Sequence, residues 1–222
     1  MSQEHKQYLV IGLGRFGTAV CQQLVEQGAE VFAVDSDQER VDQISDAVTQ
    51  AIVADCSNEQ VVSELNVSNY DTVMIAIGDD INSSILTTLV VKEAGAKRIW
   101  VKSKDKFHKS ILEKIGADKV ISPEQDMGIR VAHAMLDKRI LNYRPLRDGT
   151  AIAEIVVTHV YSGQKLKDHP CFTSSKTTLL AYQRGSTIHA SHDDDLELEI
   201  GDILIIAGDE NQIVKKIRKL DK

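Results

Sequence analysis

The stretch at residues 9–35, LVIGLGRFGTAVCQQLVEQGAEVFAVD, constrains this chain more than any other. An apolar run leads through Gly12, Gly14 and Gly17 into a helix-length segment, and a second apolar run closes on Asp35. That order spells strand, tight turn, helix and strand, the setting in which a G-x-G-x-x-G spacing carries meaning. Each glycine then has its own task. Gly12 allows the turn, Gly14 lets backbone approach a phosphate, and Gly17 lets the helix pack on the strand. The helix start aims free N–H groups and the positive end of its dipole at that phosphate. Asp35 ends the second strand where a carboxylate accepts hydrogen bonds from ribose hydroxyls. Residues 12–35 therefore predict an adenine-nucleotide cradle that includes Leu13, Arg15 and Phe16 within its turn; a glycine-rich turn that serves packing alone is the alternative.

The alternation continues. Val41 and Ile44 share a helix face within 38–45, a short strand follows at 50–54, and Asn58 can cap a helix through residue 65. The run DTVMIAI at 71–77 fits a parallel strand buried on both faces. A helix over 80–94 closes at Gly95, a strand occupies 98–102, a helix over 106–115 stops at Gly116, and a sixth strand lies at 119–121. Pro123 is tolerated at the first position of a long helix reaching about residue 139. Six strands alternating with helices predict an α/β doubly wound parallel sheet, a six-stranded Rossmann sheet in the order 3-2-1-4-5-6. The crevice then lies where the winding reverses, against Ala76, Ile77 and Gly78 at the end of strand four. Asp55 and Cys56, at the end of strand three, fall near the adenine.

Pro145 and Gly149 break any helix across 141–150 and mark a connector. Beyond it, short strands are expected at 151–158, 178–183, 187–190 and 202–207, with a turn of helix within 166–172 and a final amphipathic helix over 211–220. These make a smaller C-terminal α+β domain, so the expected division is 1–140, a connector at 141–150, and 151–222. A domain of that size is near the lower limit for a self-sufficient core, and dimerisation would relieve it.

Composition removes several classes. Twenty-six basic against 33 acidic residues give a formal net charge of −7, which disfavours general nucleic-acid binding. No signal peptide is apparent, and no apolar run approaches the roughly 20 residues of a membrane helix, so a cytoplasmic protein is expected. Cys21, Cys56 and Cys171 are too few and scattered for a disulfide framework or zinc site and read as buried side chains. His189 and His192 beside Asp193, Asp194 and Asp195 could suggest a metal site, but a solvated polar turn explains them better. His108 and His133 read as ordinary helix residues.

Several segments together carry a resemblance over nearly the whole chain: IGLGRFG at 11–17, AVD at 33–35, MIAIG at 74–78, WVK at 100–102, EKIGAD at 113–118 and PEQDMG at 123–128. The chain resembles the regulatory subunits of the Ktr potassium-uptake system, an RCK (KTN) domain followed by a TrkA-C domain. The resemblance implies a cytosolic octameric ring built from dimers, peripheral at the inner face of the cell membrane. There it docks on a membrane potassium-translocating subunit and lets bound ATP or ADP set the ion flux. Carried over by position, nucleotide contacts fall on Gly12, Gly14, Gly17, Arg15, Asp35, Asp55, Gly78 and Lys102. Arg15 at the helix start can reach around the phosphates, although a solvated turn residue is the plain alternative, and Lys102 ends a strand beside the crevice. Glu124 resembles the position that reaches a divalent cation, Mg²⁺ or Ca²⁺, at the terminal phosphate. Glu124 and Asp126 equally suit the first turn of a helix as dipole partners. In the second domain the LELEIGDILIIAG close fits TrkA-C, whereas CFTSSKTT at 171–178 maps onto no family residue. The implied protein is not an enzyme. Competing readings are an NAD-dependent oxidoreductase using NAD/NADH in the same crevice and a free-standing nucleotide sensor.

Overall fold

The computed structural model describes residues 6–146, 148–171, 176–190 and 195–219, without the side chains of residues 214 and 216–219. It divides into two compact units, Met1–Pro123 and Glu124–Lys222.

The first unit alternates strand and helix: β1 (Gln7–Ile11), α1 (Arg15–Glu26), β2 (Glu30–Asp35), α2 (Gln38–Asp42), β3 (Gln50–Val53), α3 (Glu59–Glu64), β4 (Thr72–Ile75), α4 (Ile81–Glu93), β5 (Ile99–Lys102), α5 (Lys106–Lys114) and β6 (Lys119–Ile121). All six strands run parallel in the order β3-β2-β1-β4-β5-β6, the doubly wound order expected from the alternation. Successive side chains of a strand point to opposite faces, and β1 shows why its sequence is apolar throughout. Leu9 and Ile11 join one core layer with Val73, Ile75, Ile99 and Val101, while Val10 joins the other with Val31, Ala33 and Met74. Helix starts are set by side chains that replace missing intrahelical acceptors. Asp37, Asn58, Asp80 and Asp105 each accept a backbone N–H two residues on.

The second unit holds α6 (Pro123–Leu136), β7 (Ile140–Pro145), β8 (Thr150–Val156), β9 (Thr177–Arg184), β10 (Thr187–His189), β11 (Ile203–Asp209) and α7 (Glu210–Lys219). Its five strands form an antiparallel sheet in the order β10-β9-β11-β8-β7. Two details differ from the sequence expectation. α6 ends at Leu136, because the Asp137 carboxylate accepts the Arg139 backbone N–H at 3.0 Å and its guanidinium at 2.9 and 2.6 Å, folding the chain into a turn. The segment expected as connector begins with β7, whose Ile140 and Tyr143 are buried in the second core. β7 is an edge strand, where a proline lacking its N–H removes no needed ladder bond.

All three cysteines are buried thiols that form no disulfide. His133 stacks on Tyr143 with ring centroids 3.7 Å apart, His189 stacks on Tyr182 at 4.6 Å, and His108 is buried on α5. Among the described residues no group of three or more His, Cys, Asp or Glu could hold a metal ion. His192, Asp193 and Asp194, and residues 172–175 of the unmapped CFTSSKTT segment, lie outside the described residues.

An ion lock closes the second sheet. Arg184 on β9 donates to both oxygens of buried Asp202 at 2.9 and 2.7 Å, to Glu199 at 2.7 Å and to the Glu197 carbonyl at 2.9 Å. Burial pushes the Asp202 pKa up, but the hydrogen bonds from Arg184 and the Glu199 N–H outweigh it and hold the carboxyl below its ordinary value. The lock therefore stabilises above about pH 4 and is lost as pH falls through the lowered folded value. Arg184→Ala leaves Asp202 buried without its cation and is expected to cost about 2–3 kcal/mol. Urea melts of both proteins at pH 7 and pH 3 check this, with a smaller difference expected at pH 3.

Candidate functional site

The turn after β1 is fixed from both sides. Gly12 takes a left-handed φ of +96°, its N–H donates to the Val34 carbonyl at 2.7 Å, and the Ala76 N–H donates to the Ile11 carbonyl at 2.7 Å. A Cβ on Gly12 would lie 3.0 Å from backbone atoms of Ala76 and Ile77. Gly17 is more restricted, since a Cβ there would stand 1.9 Å from the Gly12 carbonyl oxygen. α1 thus rests directly on the turn. Gly14 caps α1 with extended backbone and no side-chain hydrogen bond, and a Cβ on it would meet nothing within 4 Å. The first N–H groups of a helix have no acceptor within it, and here they open beside a glycine that leaves room for a ligand. Of the three glycines, Gly12 and Gly17 stand against protein backbone and Gly14 against open space.

Around this turn the structure assembles most of the expected residues. Arg15, the first residue of α1, is exposed, and Phe16 is half-buried. Lys102, ending β5, brings its ammonium 5.9 Å from the Phe16 ring centroid, and a Cβ on Gly78 would lie 2.9 Å from its Nζ. Glycine at 78 therefore leaves the path of the lysine side chain clear. Asp35 is buried at the end of β2; one carboxylate oxygen accepts the Leu13 N–H and the other accepts the Asp37 N–H at 2.9 Å. Leu13 and Ala76 are buried, so any ligand meets their backbone.

After β3, exposed Asp55 accepts the Ser57 N–H at 2.9 Å and its hydroxyl at 2.7 Å, which shapes the turn. Cys56 points into the core. Burial, with the Asp55 and Asp35 carboxylates adding, pushes its thiol up to about 12, so it is a neutral group and no nucleophile near pH 7. Any contact from Cys56 to a ligand comes through its backbone. Glu124 belongs to the second unit, on the exposed first turn of α6 beside Asp126, while every other candidate residue belongs to the first.

One residue at the site escapes the motif. Arg40 on α2 brings its guanidinium 3.7 Å from Asp35 and 3.5 Å from Asp37. The available signal is its isolation, for no other lysine or arginine occurs between Arg15 and Lys92.

A doubly wound sheet with a glycine-turn crevice, followed by an antiparallel-sheet unit, defines a Rossmann-type domain with a small C-terminal partner. The TrkA-N domain family matches residues 8–123. Over nearly its whole length the chain is similar to the Ktr system potassium uptake protein A of Vibrio alginolyticus, at 48% identity over 99% of this chain and 100% of the relative. It is 37% identical to the protein of that name from Bacillus subtilis, over 95% of each chain. The chain belongs to this family of Ktr system potassium uptake proteins. Among solved structures, the GsuK RCK domain superposes with a TM-score of 0.68 at 14% identity, covering 99% of this chain and 48% of that one. The GsuK channel bound to NAD superposes with a TM-score of 0.66 at 14% identity, covering 100% and 40%. The chain spans less than half of those longer chains, and the likeness to them is one of fold.

The differing surroundings of the glycines separate folding from binding. Gly17→Ala is expected to lower the thermal unfolding midpoint, because backbone must move. Gly14→Ala is expected to leave it unchanged yet weaken ATP about tenfold or more, ~1.4 kcal/mol. Thermal melts and calorimetric titration of both variants check the pair; full ATP affinity in Gly14→Ala would mean that no phosphate passes over that position.

Proposed function

We propose that this protein is a nucleotide-gated regulatory subunit of a potassium uptake transporter, and that ATP and ADP compete for the crevice over Gly12, Gly14 and Gly17. The observation that carries the reading is the pairing of an uncapped helix start with cations on both sides, Arg15 at the start of α1 and Lys102 over Gly78. Such an arrangement suits a ligand with several phosphates. Gly12 to Gly17 and Lys102 take the phosphates, Asp35 takes the ribose diol, and the turn at Asp55 and Cys56 and the strand end at Ala76, Ile77 and Gly78 line the adenosine side. NAD and NADH are the alternative occupants of the same crevice. Glu124 supplies a carboxylate for Mg²⁺ or Ca²⁺, ions that prefer oxygen ligands.

The protein works by binding and has no catalytic step of its own. Its assembly is a ring of dimers, in keeping with apolar side chains left exposed at helical spacing: Leu86 and Leu89 on α4, Phe107 and Ile111 on α5, and Met127, Val131 and Met135 on α6. Exposed apolar side chains repeated along a helix face in this way suit contact sites. The ring sits in the cytoplasm against the inner face of the membrane and acts on a membrane potassium-translocating subunit. No helix of the described residues is long and apolar enough to cross a membrane. ATP and ADP control flux to the extent that they bind two ring shapes with different free energies.

Arg15→Ala is expected to weaken ATP about tenfold more than ADP, ~1.4 kcal/mol, because only ATP offers a third phosphate. Calorimetry with both nucleotides measures the difference. Solution scattering of the unaltered protein with ATP and with ADP should give distinct profiles; superimposable profiles, together with transporter flux indifferent to the nucleotide, would sink the gating reading.

A further inference from the structure

Resting on the nucleotide reading above, we infer that His108 is a positioning residue of the crevice. As a neutral imidazole it fixes the segment after β5, and through Lys104 that segment holds residues 78–80, the turn between β4 and α4, in place. His108 acts on the wall that the ligand meets and not on the ligand.

His108 is 1% exposed on α5, and its Nδ1 accepts the Lys104 backbone N–H at 3.2 Å. A ring nitrogen that accepts carries no proton, so the proton of the neutral ring sits on Nε2. Nε2 is buried and has no hydrogen-bond partner among the described residues. Burying a polar ring with one end unsatisfied costs stability, and an apolar side chain of similar size would fill the place without that cost. What the imidazole supplies in return is one hydrogen bond, and it goes to the segment that joins β5 to α5.

That segment reaches the crevice twice. Lys102 stands against Gly78, where a Cβ would lie 2.9 Å from its Nζ, and Lys104 donates from Nζ to the Asp79 carbonyl at 3.2 Å. Asp80 then caps α4 by accepting the Asn82 and Ser83 N–H groups. Hydrogen bonds from Ser83 hold the Asp80 carboxyl below its ordinary value, and the Lys104 charge adds to them. Residues 78–80 are thus tied to residues 102–104, and His108 anchors the far end of the tie.

A proton on Nδ1 would turn the acceptor into a donor and set a positive ring against Lys104. Burial holds the His108 pKa below its ordinary value; the Asp105 carboxylate opposes this and the Lys104 charge adds to it. The other elements around α5 turn their charges elsewhere. Lys92 and Glu93 lie in the last turn of α4, Lys119 of β6 lies 4.0 Å over the Trp100 ring, and Lys102 of β5 lies toward Phe16. The imidazole is therefore neutral near pH 7 and takes its second proton only as pH falls below about 6.5.

Calorimetric titration of ATP into the full chain tests this with three variants. His108→Asn keeps an oxygen near the Nδ1 position to accept the Lys104 N–H and has no proton to gain. His108→Phe fills the space and cannot accept, and Lys104→Met removes the ammonium from an exposed side chain. Near pH 7.5, His108→Asn is expected to bind ATP within about twofold of the unaltered protein, and the other two about fivefold more weakly. His108→Phe combined with Lys104→Met is expected to lose no more than either alone, because both break the same tie. From about pH 7.5 to about pH 5 the unaltered protein is expected to lose ATP affinity about threefold more than His108→Asn, a comparison in which the titration of ATP itself cancels. In a Lys104→Met background that excess should vanish, and this comparison decides the matter even where His108→Phe fails to fold. Parallel pH profiles for the unaltered protein and His108→Asn, or an excess that survives Lys104→Met, would overturn the role of His108 while leaving nucleotide binding intact. Failure of the unaltered protein to bind ATP near pH 7.5 would overturn the nucleotide reading itself, and this inference with it.

Discussion

The approach of α1 to the turn after β1 is the contact on which the first unit depends. At Gly17 a methyl group would stand 1.9 Å from the Gly12 carbonyl oxygen, so the helix can sit on the turn only because no side chain intervenes. β1 is central, with β2 on one side and β4 on the other. The turn inherits that rigidity through the Gly12 N–H bond to Val34 and the Ala76 N–H bond to Ile11. The opening amides of α1 are therefore held by backbone hydrogen bonds and packed glycine rather than by side chains that could rotate away. On the proposed reading, a cradle built this way is formed before a ligand arrives, which would lower the ordering cost of binding.

Asp35 joins fold and site in one residue. Its carboxylate closes the turn by accepting the Leu13 N–H, and it supports the start of α2 by accepting the Asp37 N–H. The orientation of the carboxylate, which on the proposed reading meets the ribose, is thus fixed by the backbone. Asp202 in the second unit shows the other use of a buried carboxylate. It is saturated by Arg184 and the Glu199 N–H and turned toward stability alone. The difference is the strength of the cation contact: a bidentate fork at Asp202, a looser approach by Arg40 at Asp35.

The features legible in the sequence are those written in local periodicity and turn chemistry. The glycine spacing, the two-sided apolar strands, the capping residue Asn58 and the stops at Gly95 and Gly116 set the six-stranded order without reference to distant contacts. β7 was hidden because an edge strand ending in proline reads as a break, and its pairing with β8 is tertiary. The end of α6 was hidden because the Asp137 and Arg139 turn depends on side-chain geometry, not helix propensity. Arg40 was hidden because the motif stops at Asp35 and α2 returns the guanidinium to it only in the fold. Residues 12–17, Asp35, Gly78 and Lys102 lie together around one turn of the first unit, and Glu124 belongs to the second unit.

On the proposed reading the charged groups of the crevice recognise a ligand, while the Cys56 thiol is buried and neutral and the Asp35 carboxylate accepts two backbone N–H groups. On the same reading, an arginine contact to the third phosphate that is made in one ring shape and lost in the other would give that shape a modest preference, about tenfold per site. Moving a two-state equilibrium from one extreme to the other takes about 10⁴-fold differential affinity. A single site of this kind would leave a regulator half-switched. Four concerted sites multiply to that requirement, and a ring of eight exceeds it. On the proposed reading, the apolar stripes of α4, α5 and α6 are then the counterpart of the phosphate cradle: assembly converts a small preference at each crevice into a decisive preference of the ring.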